Sequence, residues 1–260
     1  MVLAVIPMSS THKVALVTGA AKRLGKAIAL ALAGQGWDIA VHYGQSAAEA
    51  QATVAEIEAL GRRALAVQAD LADEAAVLGL LPQAEALGPV ICLVNNASCF
   101  AFDAAASFSY ANLQQHLLPN LAAPILLARE LHARLPADAR GVVVNLLDQK
   151  LHNLNPDFLS YTLSKAALET ATILLAQALA PQLRVVGVAP GITLVSGAQT
   201  EAGFIKAHAK TPLGYSSTSE DIAAAVCYLV AARAVTGTTL IVDGGQHLLP
   251  LPRDVMFIEK

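Results

Sequence analysis

Short apolar runs alternate with longer amphipathic stretches along almost the whole chain. The apolar runs predict strands at 14–18, 39–42, 64–68, 90–94, 142–146, 183–189 and 239–242. The stretches between them predict helices at about 24–33, 46–60, 73–87, 111–135, 160–180 and 219–231, the fourth of which should be kinked by two prolines. Such alternation is typical of a parallel sheet with helices on both faces. We therefore predict an α/β fold, a single doubly wound Rossmann domain with a parallel sheet of roughly seven strands.

The whole chain of 260 residues is expected to form that one domain. Hydrophobic residues make up 55% of it and charged residues only 14%, which suffices for a large core, and no linker divides the sequence. Three segments lack clear periodicity. We predict a ragged N-terminus at 1–12, a mobile substrate lid at 192–215 and an irregular C-terminal tail at 246–260.

Charge and composition argue against several kinds of partner. The formal net charge is −3 and no basic block occurs, so we expect no nucleic-acid partner. Charged or polar residues interrupt each apolar run before it reaches membrane-spanning length, so we expect no membrane association. The three cysteines form no CxxC pair, and the histidines show no metal-ligand spacing. These features predict a cytoplasmic protein without a metal site.

The turn between the first predicted strand and helix reads Thr-Gly-Ala-Ala-Lys-Arg-Leu-Gly and spans residues 18–25. Gly19 permits a sharp turn, and Gly25 lets the helix approach the sheet closely. Backbone N–H groups at the start of the helix can then cradle a pyrophosphate. Taken alone, the turn fits an ordinary tight connection equally well. Arg23 stands where many dinucleotide folds have a glycine, and its guanidinium suits a phosphate or an anionic substrate.

The end of the second predicted strand indicates which nicotinamide cofactor the chain prefers. NAD-preferring sites usually place a carboxylate here for the ribose 2′-hydroxyl, and this strand end has none. A 2′-phosphate would meet no repulsion and could be bound by Arg23 and Ser46, with His42 or Gln45 completing the site. The pattern favours NADP over NAD. The alternative interpretation is that His42 and Tyr43 simply end a strand.

Tyr161 and Lys165 lie four residues apart on a predicted helix, so both side chains share one face. We expect the nearby ammonium to lower the pKa of the tyrosine by favouring phenolate, which would make Tyr161 a usable acid near neutral pH. Lys165 could also hold a ribose hydroxyl. A tyrosine and a lysine at this spacing are common by chance, so the pair gains meaning only from the other motifs.

Together these motifs resemble those of the short-chain dehydrogenase/reductase family. The resemblance covers about residues 14–245, with the motifs in the family's order. It implies a nicotinamide-dependent oxidoreductase that forms a homotetramer, with the helices of Asn120 and Tyr161 at an interface. The residues that carry it are Thr18-Gly19-x-x-x-Arg23-x-Gly25, Asp70-Leu71, Asn95-Asn96-Ala97, Asn120, Tyr161-x-x-x-Lys165, Pro190-Gly191 and Val242-Asp243-Gly244-Gly245.

The resemblance also implies roles for these residues. Tyr161 would give or take the proton at the reacting centre, and Lys165 would orient the nicotinamide ribose and tune Tyr161. Asn120 would support a water relay to Lys165, and Asp70 would face the adenine. The cofactor-binding residues implied in this way are Gly19, Lys22, Arg23, Leu24, Gly25, His42, Tyr43, Ser46, Asp70, Leu71, Asn96, Ala97, Ser98, Tyr161, Lys165, Pro190, Gly191 and Thr193.

One position departs from the family pattern. The family usually has a serine thirteen residues before the tyrosine, where this chain has Asp148. A serine donates a hydrogen bond to a carbonyl substrate, whereas an ionised aspartate only accepts one. Asp148 could instead bind an amino-pyrimidine N–H edge or deliver a proton to a ring nitrogen. Lys150, two residues further on, could pair with Asp148 or point away from it.

Asp148 and the phosphate loop resemble those of the pteridine reductase branch and its bacterial dihydromonapterin and dihydrofolate reductase relatives. That resemblance implies reduction of a C=N bond, with hydride from NADPH and a proton through Asp148, Tyr161 and water. Phe100 would stack on the pterin opposite the nicotinamide. The implied catalytic residues are Asp148, Tyr161, Lys165 and Asn120, and the implied substrate-binding residues are Arg23, Ser98, Phe100, Asp148 and Tyr161.

The sequence is compatible with two other functions. One is an NADP(H)-dependent carbonyl reductase or alcohol dehydrogenase acting on a ketone, a sugar or an acyl substrate, against which Asp148 in place of serine argues. The other is a non-catalytic NADP-binding sensor or scaffold, which the intact set of Asn120, Tyr161 and Lys165 makes the weakest hypothesis.

Overall fold

The computed structural model describes residues 13–195, 201–209 and 211–258. Its strands are β1 (Lys13–Val17), β2 (Trp37–Tyr43), β3 (Ala64–Gln68), β4 (Val90–Asn95), β5 (Gly141–Leu146), β6 (Leu183–Pro190) and β7 (Thr239–Val242). Its helices are α1 (Arg23–Gly34), α2 (Ala47–Ala59), α3 (Glu74–Leu78), α4 (Leu80–Ala84), α5 (Tyr110–Leu117), α6 (Ala123–Arg134), α7 (Leu159–Ala178), α8 (Glu201–Ala209), α9 (Ser219–Ala231) and α10 (Val255–Ile258). The predicted N-terminal segment 1–12, parts of the predicted lid (196–200 and 210) and the last two residues of the tail lie outside the described residues.

All seven strands pair in parallel, in the order β3-β2-β1-β4-β5-β6-β7. The predicted doubly wound Rossmann fold is therefore confirmed. The strand order reverses at β1, which lies between β2 and β4. Because the carboxyl ends of parallel strands meet at one edge, this reversal opens a crevice there, where ligands of such sheets bind.

The core lies on both faces of the sheet. Ala15 and Val17 belong to one buried cluster together with residues of α1 and α9. Val14 and Leu16 point to the opposite face, in a second cluster with residues of α6. All four residues are fully buried. Covering on both faces explains why the strands read as continuous apolar runs rather than alternating ones.

Two predicted helices are interrupted in the structure. The stretch 73–87 forms α3, α4 and a 3₁₀ turn at Glu85–Leu87. The stretch 111–135 forms α5 and α6, joined by a π-helical turn at Leu118–Ala122. Pro119 lies in that turn, and a proline that lacks an N–H cannot continue the regular ladder. The expected disruption of this helix is therefore confirmed.

The predicted lid and tail contain more regular structure than their sequences suggest. Helix α8 occupies 201–209, within the segment where we expected no periodic element. Its apolar residues do not follow a clear helical stripe, so the helix is not visible from periodicity. The tail forms a 3₁₀ turn at Gln246–Leu248 and the short helix α10. None of the helices in the described ranges is both long and apolar enough to span a membrane.

Candidate active site

A cavity of about 510 Å³ opens at the carboxyl edge of the sheet. Most of the residues singled out from the sequence contribute to its wall although they come from widely separated segments. They are Gly19, Lys22, Arg23, Leu24, Gly25, Asn96, Ala97, Ser98, Phe100, Asp148, Tyr161, Lys165, Pro190, Gly191 and Thr193. The predicted residues outside this wall are His42, Tyr43, Ser46, Asp70, Leu71 and Asn120. Tyr43 ends β2 and Ser46 follows it, whereas Asp70 and Leu71 follow β3, so these four lie further along the same sheet edge.

The loop between β1 and α1 packs too tightly for side chains at its glycines. Gly19 has a φ of +63°, and a Cβ on Gly25 would lie 2.2 Å from the Gly19 carbonyl oxygen. The Asn96 amide donates to the carbonyl oxygens of Thr18 and Gly19 at 2.9 and 3.2 Å. No side chain caps the start of α1 at Lys22, and its first turn carries no acidic residue. The loop therefore has the open, uncapped helix start that a phosphate group needs.

Arg23 connects this loop to the start of the predicted lid. It has a φ of 54°, an unusual value for a residue with a side chain. Its Nη2 donates to the Val195 carbonyl oxygen at 2.8 Å, and the residue also lines the cavity. In this arrangement the guanidinium binds the lid backbone and lies beside the site predicted for phosphate or substrate.

His42 binds the backbone of the phosphate loop through its imidazole ring. Its Nδ1 accepts the Gly19 N–H at 3.0 Å, and its Nε2 lies 3.2 Å from the Ala69 carbonyl oxygen. The side chain is buried, and burial lowers its pKa to about 4. The neutral ring thus joins the ends of β2 and β3 to the loop, and both its nitrogens are used within the protein. This position leaves neither nitrogen for a 2′-phosphate.

The buried His42 predicts a pH-dependent stability. An unfolded histidine binds a proton near pH 6.5, whereas His42 in the folded chain does so only near pH 4. The unfolded state therefore gains protons first as pH falls, and the folded state loses about 3 kcal/mol between these values. Urea unfolding at pH 7.5 and pH 5 covers about 1.5 of these pH units and should show a loss of about 2 kcal/mol. His42→Gln should show a smaller difference between the two pH values, and an equal difference would assign the loss to other groups.

Tyr161 and Asp148 form a direct hydrogen bond at the centre of the cavity wall. Asp148 follows the end of β5, and Tyr161 lies in the first turn of α7. The Tyr161 Oη donates to Asp148 Oδ2 at 2.7 Å. The start of α7 is fixed by Asp103, which accepts the Ser160 backbone N–H at 2.9 Å. This anchoring positions the phenol against the carboxyl group.

Burial has the largest effect on the pKa values of Tyr161, Asp148 and Lys165. It raises the pKa of Tyr161 well above its usual value, and the Asp148 carboxyl raises it further. The predicted lowering by Lys165 is therefore wrong for this arrangement. The Lys165 ammonium donates to the Leu146 carbonyl oxygen at 2.7 Å and lies 5.9 Å from the centre of the tyrosine ring. Burial also lowers the pKa of Lys165 to about 8 and raises that of Asp148. Because its own pKa is raised, Tyr161 is a neutral phenol.

Asn120 connects the cavity loop to α7. Its Nδ2 donates to the Cys99 carbonyl oxygen at 2.9 Å and to Ser164 Oγ at 3.0 Å. Its Oδ1 accepts the Cys99 N–H at 2.7 Å. Asn120 is fully buried in the π-helical turn, and its side chain thus supports the loop that carries Ser98 and Phe100.

Phe100 presents an aromatic surface to the cavity. Its ring stacks on Phe158, with centroids 4.3 Å apart and an interplanar angle of 17°. It also meets the Tyr161 ring edge to face at 4.7 Å. The side chain remains 40% exposed. Phe100, the residue predicted to stack on a substrate, therefore lies beside the Tyr161 phenol.

Sequence reasoning missed the contribution of the C-terminal tail. Gln246, Leu251, Asp254, Val255 and Met256 all line the cavity. These residues show no periodicity, and only the charged pair after Pro252 could have indicated a packed segment.

The side chain of Lys150 points away from Asp148, which is one of the two arrangements that the sequence allowed. Its ammonium pairs with Asp254 at 3.1 Å, and only its backbone N–H contacts Asp148. Among the described residues no group of His, Cys, Asp or Glu side chains could hold a metal ion.

The model of the short chain dehydrogenase family matches residues 13–203 of this chain. The chain belongs to the short-chain dehydrogenase family. The match runs from β1 into α8, and it includes the phosphate loop, Asn120, Tyr161 and Lys165. This short-chain dehydrogenase is therefore an oxidoreductase by family.

Individual relatives of this short-chain dehydrogenase differ in what they act on. FolM alternative dihydrofolate reductase 1 from Brucella canis, crystallised with NADP, is 42% identical with a TM-score of 0.89, over 92% of this chain and 95% of that one. Pteridine reductase 1 of Leishmania tarentolae is 33% identical over 92% of this chain and 98% of its own length. An L-rhamnose 1-dehydrogenase (NAD(P)(+)) of a Sphingomonas species is 30% identical over 91% and 96%. The predicted resemblance to the pteridine reductase-like branch is thus confirmed.

Proposed function

We propose that this short-chain dehydrogenase uses NADPH to reduce a C=N bond of a pterin or dihydrofolate-type substrate. The observation that carries the proposal is the 2.7 Å hydrogen bond between Tyr161 and Asp148 in the cavity wall. Asp148 replaces the serine that the family usually has, so an acid stands where a carbonyl-binding hydroxyl is expected. The similarity to FolM and to pteridine reductase 1 supports the same substrate class.

The cofactor is NADP(H). The FolM neighbour was crystallised with NADP, and the end of β2 carries no carboxylate that would repel a 2′-phosphate. The uncapped start of α1 and the glycine-lined loop fit a pyrophosphate. Lys165 lines the same cavity and would hold the nicotinamide ribose. When bound, NADPH supplies the hydride.

The residues of this chain supply the proton. Burial raises the pKa of Asp148, and burial together with Asp148 raises that of Tyr161, so the pair retains a proton in the neutral range. A ring nitrogen that receives the proton needs a donor in the cavity wall, and either member of the pair can serve. Lys165 holds the end of β5 through the Leu146 carbonyl, which keeps Asp148 in place.

The remaining predicted contacts fit a flat, polar heterocycle. Phe158 covers one face of Phe100, and the rest of the ring borders the cavity, where it could stack on a planar substrate. Arg23 and Ser98 lie in the same wall and could bind the polar edge of a pterin. Together with Asp148 and Tyr161, these residues form the proposed substrate site.

The direct test compares candidate substrates by loss of NADPH absorbance. We expect turnover with dihydrobiopterin or dihydrofolate and NADPH, and slower turnover with NADH. Turnover of a small diketone alone would leave the family mechanism intact and reject the pterin proposal. In that case the second candidate, carbonyl reduction, is supported by the relative that oxidises a sugar. NADPH binding without reduction of either class would support the sensor hypothesis.

Asp148→Ser is expected to lower kcat for pterin reduction about 100-fold, because the substitution removes the carboxyl group that carries the proton beside Tyr161. The affinity for NADPH should change less than about threefold, since Asp148 belongs to the substrate side of the cavity. Asp138→Ser makes the same substitution at an exposed loop position and should leave both values unchanged. Unchanged pterin turnover in Asp148→Ser would remove Asp148 from the mechanism.

We also propose that the protein forms a homotetramer in the cytoplasm. Leu163, Ile173 and Leu174 are 47%, 45% and 58% exposed on α7, the helix that the family resemblance places at an interface. Such exposed apolar side chains on one helix support burial against a second copy. Light scattering of the purified protein tests the assembly.

A further inference from the structure

Lys150 lies between two carboxyl groups of the substrate cavity. Its backbone N–H donates to Asp148 Oδ1 at 2.8 Å, whereas its ammonium binds Asp254 Oδ2 at 3.1 Å. The side chains of Lys150 and Asp254 are 4% and 16% exposed, so the ion pair is largely shielded from solvent. Lys150 thereby joins the catalytic turn after β5 to the C-terminal tail.

Asp254 is held in place by the protein around it. Its backbone N–H donates to Asp157 Oδ2 at 2.8 Å, and its Oδ1 accepts the Met256 N–H at 3.1 Å. Asp157 is itself paired with Arg253 at 2.7 Å. Asp254 is therefore the carboxylate that the Lys150 ammonium contacts directly, and its position does not depend on that contact alone.

We propose that Asp254 is a positioning residue for the catalytic pair, since its ion pair with Lys150 keeps the ammonium away from Asp148 and seats the tail as a wall of the substrate cavity. The proposal rests on the proposed function, in which Asp148 carries the transferred proton.

The physical reason is the sign of the charge next to Asp148. An ammonium within a few ångströms of a carboxyl group lowers its pKa by about 1 to 3 units, which would leave Asp148 an ionised acceptor. The groups that face it are Tyr161 and Lys165 from α7, Lys150 from its own turn and Asp254 from the tail. Lys165 donates to the Leu146 carbonyl, and Lys150 is paired with Asp254, so neither ammonium binds the Asp148 carboxyl directly.

Three variants separate this electrostatic role from simple bracing of the tail. Asp254→Asn removes the negative charge that raises the pKa of Asp148 and that pairs with the Lys150 ammonium, so the pKa of Asp148 should fall by about one unit. Lys150→Met leaves Asp254 unpaired near Asp148, so the pKa should rise. The double variant removes both charges and should return the pKa towards the wild-type value. If the ion pair only held the tail in place, the two single variants would not shift the pKa of Asp148 in opposite directions.

Two readouts follow the pKa of Asp148. One is the descending limb of kcat/KM against pH for pterin reduction, which should move to lower pH in Asp254→Asn and to higher pH in Lys150→Met. The other is a titration of ¹³C-labelled aspartate carboxyl groups by NMR, with Asp148→Asn identifying the resonance. The second readout needs no turnover, so it tests the proposal even if the substrate class is wrong.

Phe257→Leu is the matched control for the tail. Phe257 stacks on Phe158 with centroids 6.0 Å apart and meets Phe102 at 5.3 Å, so its loss loosens the tail without changing a charge. We expect a higher KM with an unchanged pH profile. Shifts in the same direction for Asp254→Asn and Lys150→Met, or no shift in either, would overturn the proposal. Opposite NMR shifts in a protein that reduces no pterin would support it while rejecting the proposed function.

Discussion

Gly25→Ala is expected to weaken NADPH binding at least about 100-fold, which corresponds to about 2.7 kcal/mol. A Cβ at this position would lie 2.2 Å from the Gly19 carbonyl oxygen and 2.8 Å from its carbonyl carbon. Both atoms belong to the backbone, so no side-chain rotation can relieve the contact. The loop also cannot shift freely, because His42 and Asn96 hold Gly19 by hydrogen bonds at 3.0 and 3.2 Å.

Gly34→Ala is the matched control, since it makes the same change at the other end of α1. A Cβ on Gly34 would meet nothing within 4 Å. Alanine there should leave NADPH affinity unchanged and stabilise the fold by about 0.5 to 1 kcal/mol. Calorimetric titration with NADPH and urea unfolding measure both effects. Equal affinities in the two variants would show that the cofactor phosphates do not bind at this loop.

The fold could be predicted because its signals are local. Each strand buried on both faces reads as a continuous apolar run, and β1 is an example with all of Val14, Ala15, Leu16 and Val17 buried. The tight turn at the phosphate loop was predictable because Gly19 and Gly25 themselves mark it, and the structure leaves no room for a Cβ on Gly25. Pro119 marked the interruption between α5 and α6 because a missing N–H acts on its own helix.

The parts that could not be predicted depend on contacts between distant segments. Asp254 reaches the cavity because Asp157, far earlier in the chain, binds its backbone N–H. The pKa of Tyr161 could not be inferred from its spacing to Lys165, because burial and Asp148 outweigh the ammonium. His42 appeared to be a phosphate ligand until its hydrogen bonds to Gly19 and Ala69 were known.

The proposed catalytic residues are positioned by contacts with neighbouring residues. Asn120 supports the loop of Phe100 through the Cys99 backbone, and Asp103 fixes the start of α7. Asp103 thereby positions Tyr161, whereas the Lys150 backbone N–H holds Asp148 at 2.8 Å, so both groups are held by contacts within the protein. Under the proposed function, such preorganisation would let a proton move over a short hydrogen bond without a prior rearrangement.

Tyr161→Phe is expected to lower kcat about 1,000-fold while the affinity for NADPH changes less than about threefold. The substitution keeps the ring that packs against Phe100 and removes only the hydroxyl that donates to Asp148. Tyr110→Phe makes the same change at a side chain that is 86% exposed and should have no effect. Single-turnover kinetics separates the reduction step from product release.

The pH dependence of the residual activity of Tyr161→Phe tests whether Asp148 carries the proton. The phenol's hydrogen bond stabilises the Asp148 carboxylate, so its loss should raise the pKa of Asp148. A protonated Asp148 would then persist to higher pH, and the descending limb of the residual rate should move in that direction. A limb that stays in place would mean that Asp148 does not carry the proton in this variant. If Tyr161→Phe kept the wild-type kcat, the phenol would not take part in proton transfer, and Asp148 would be the donor to test.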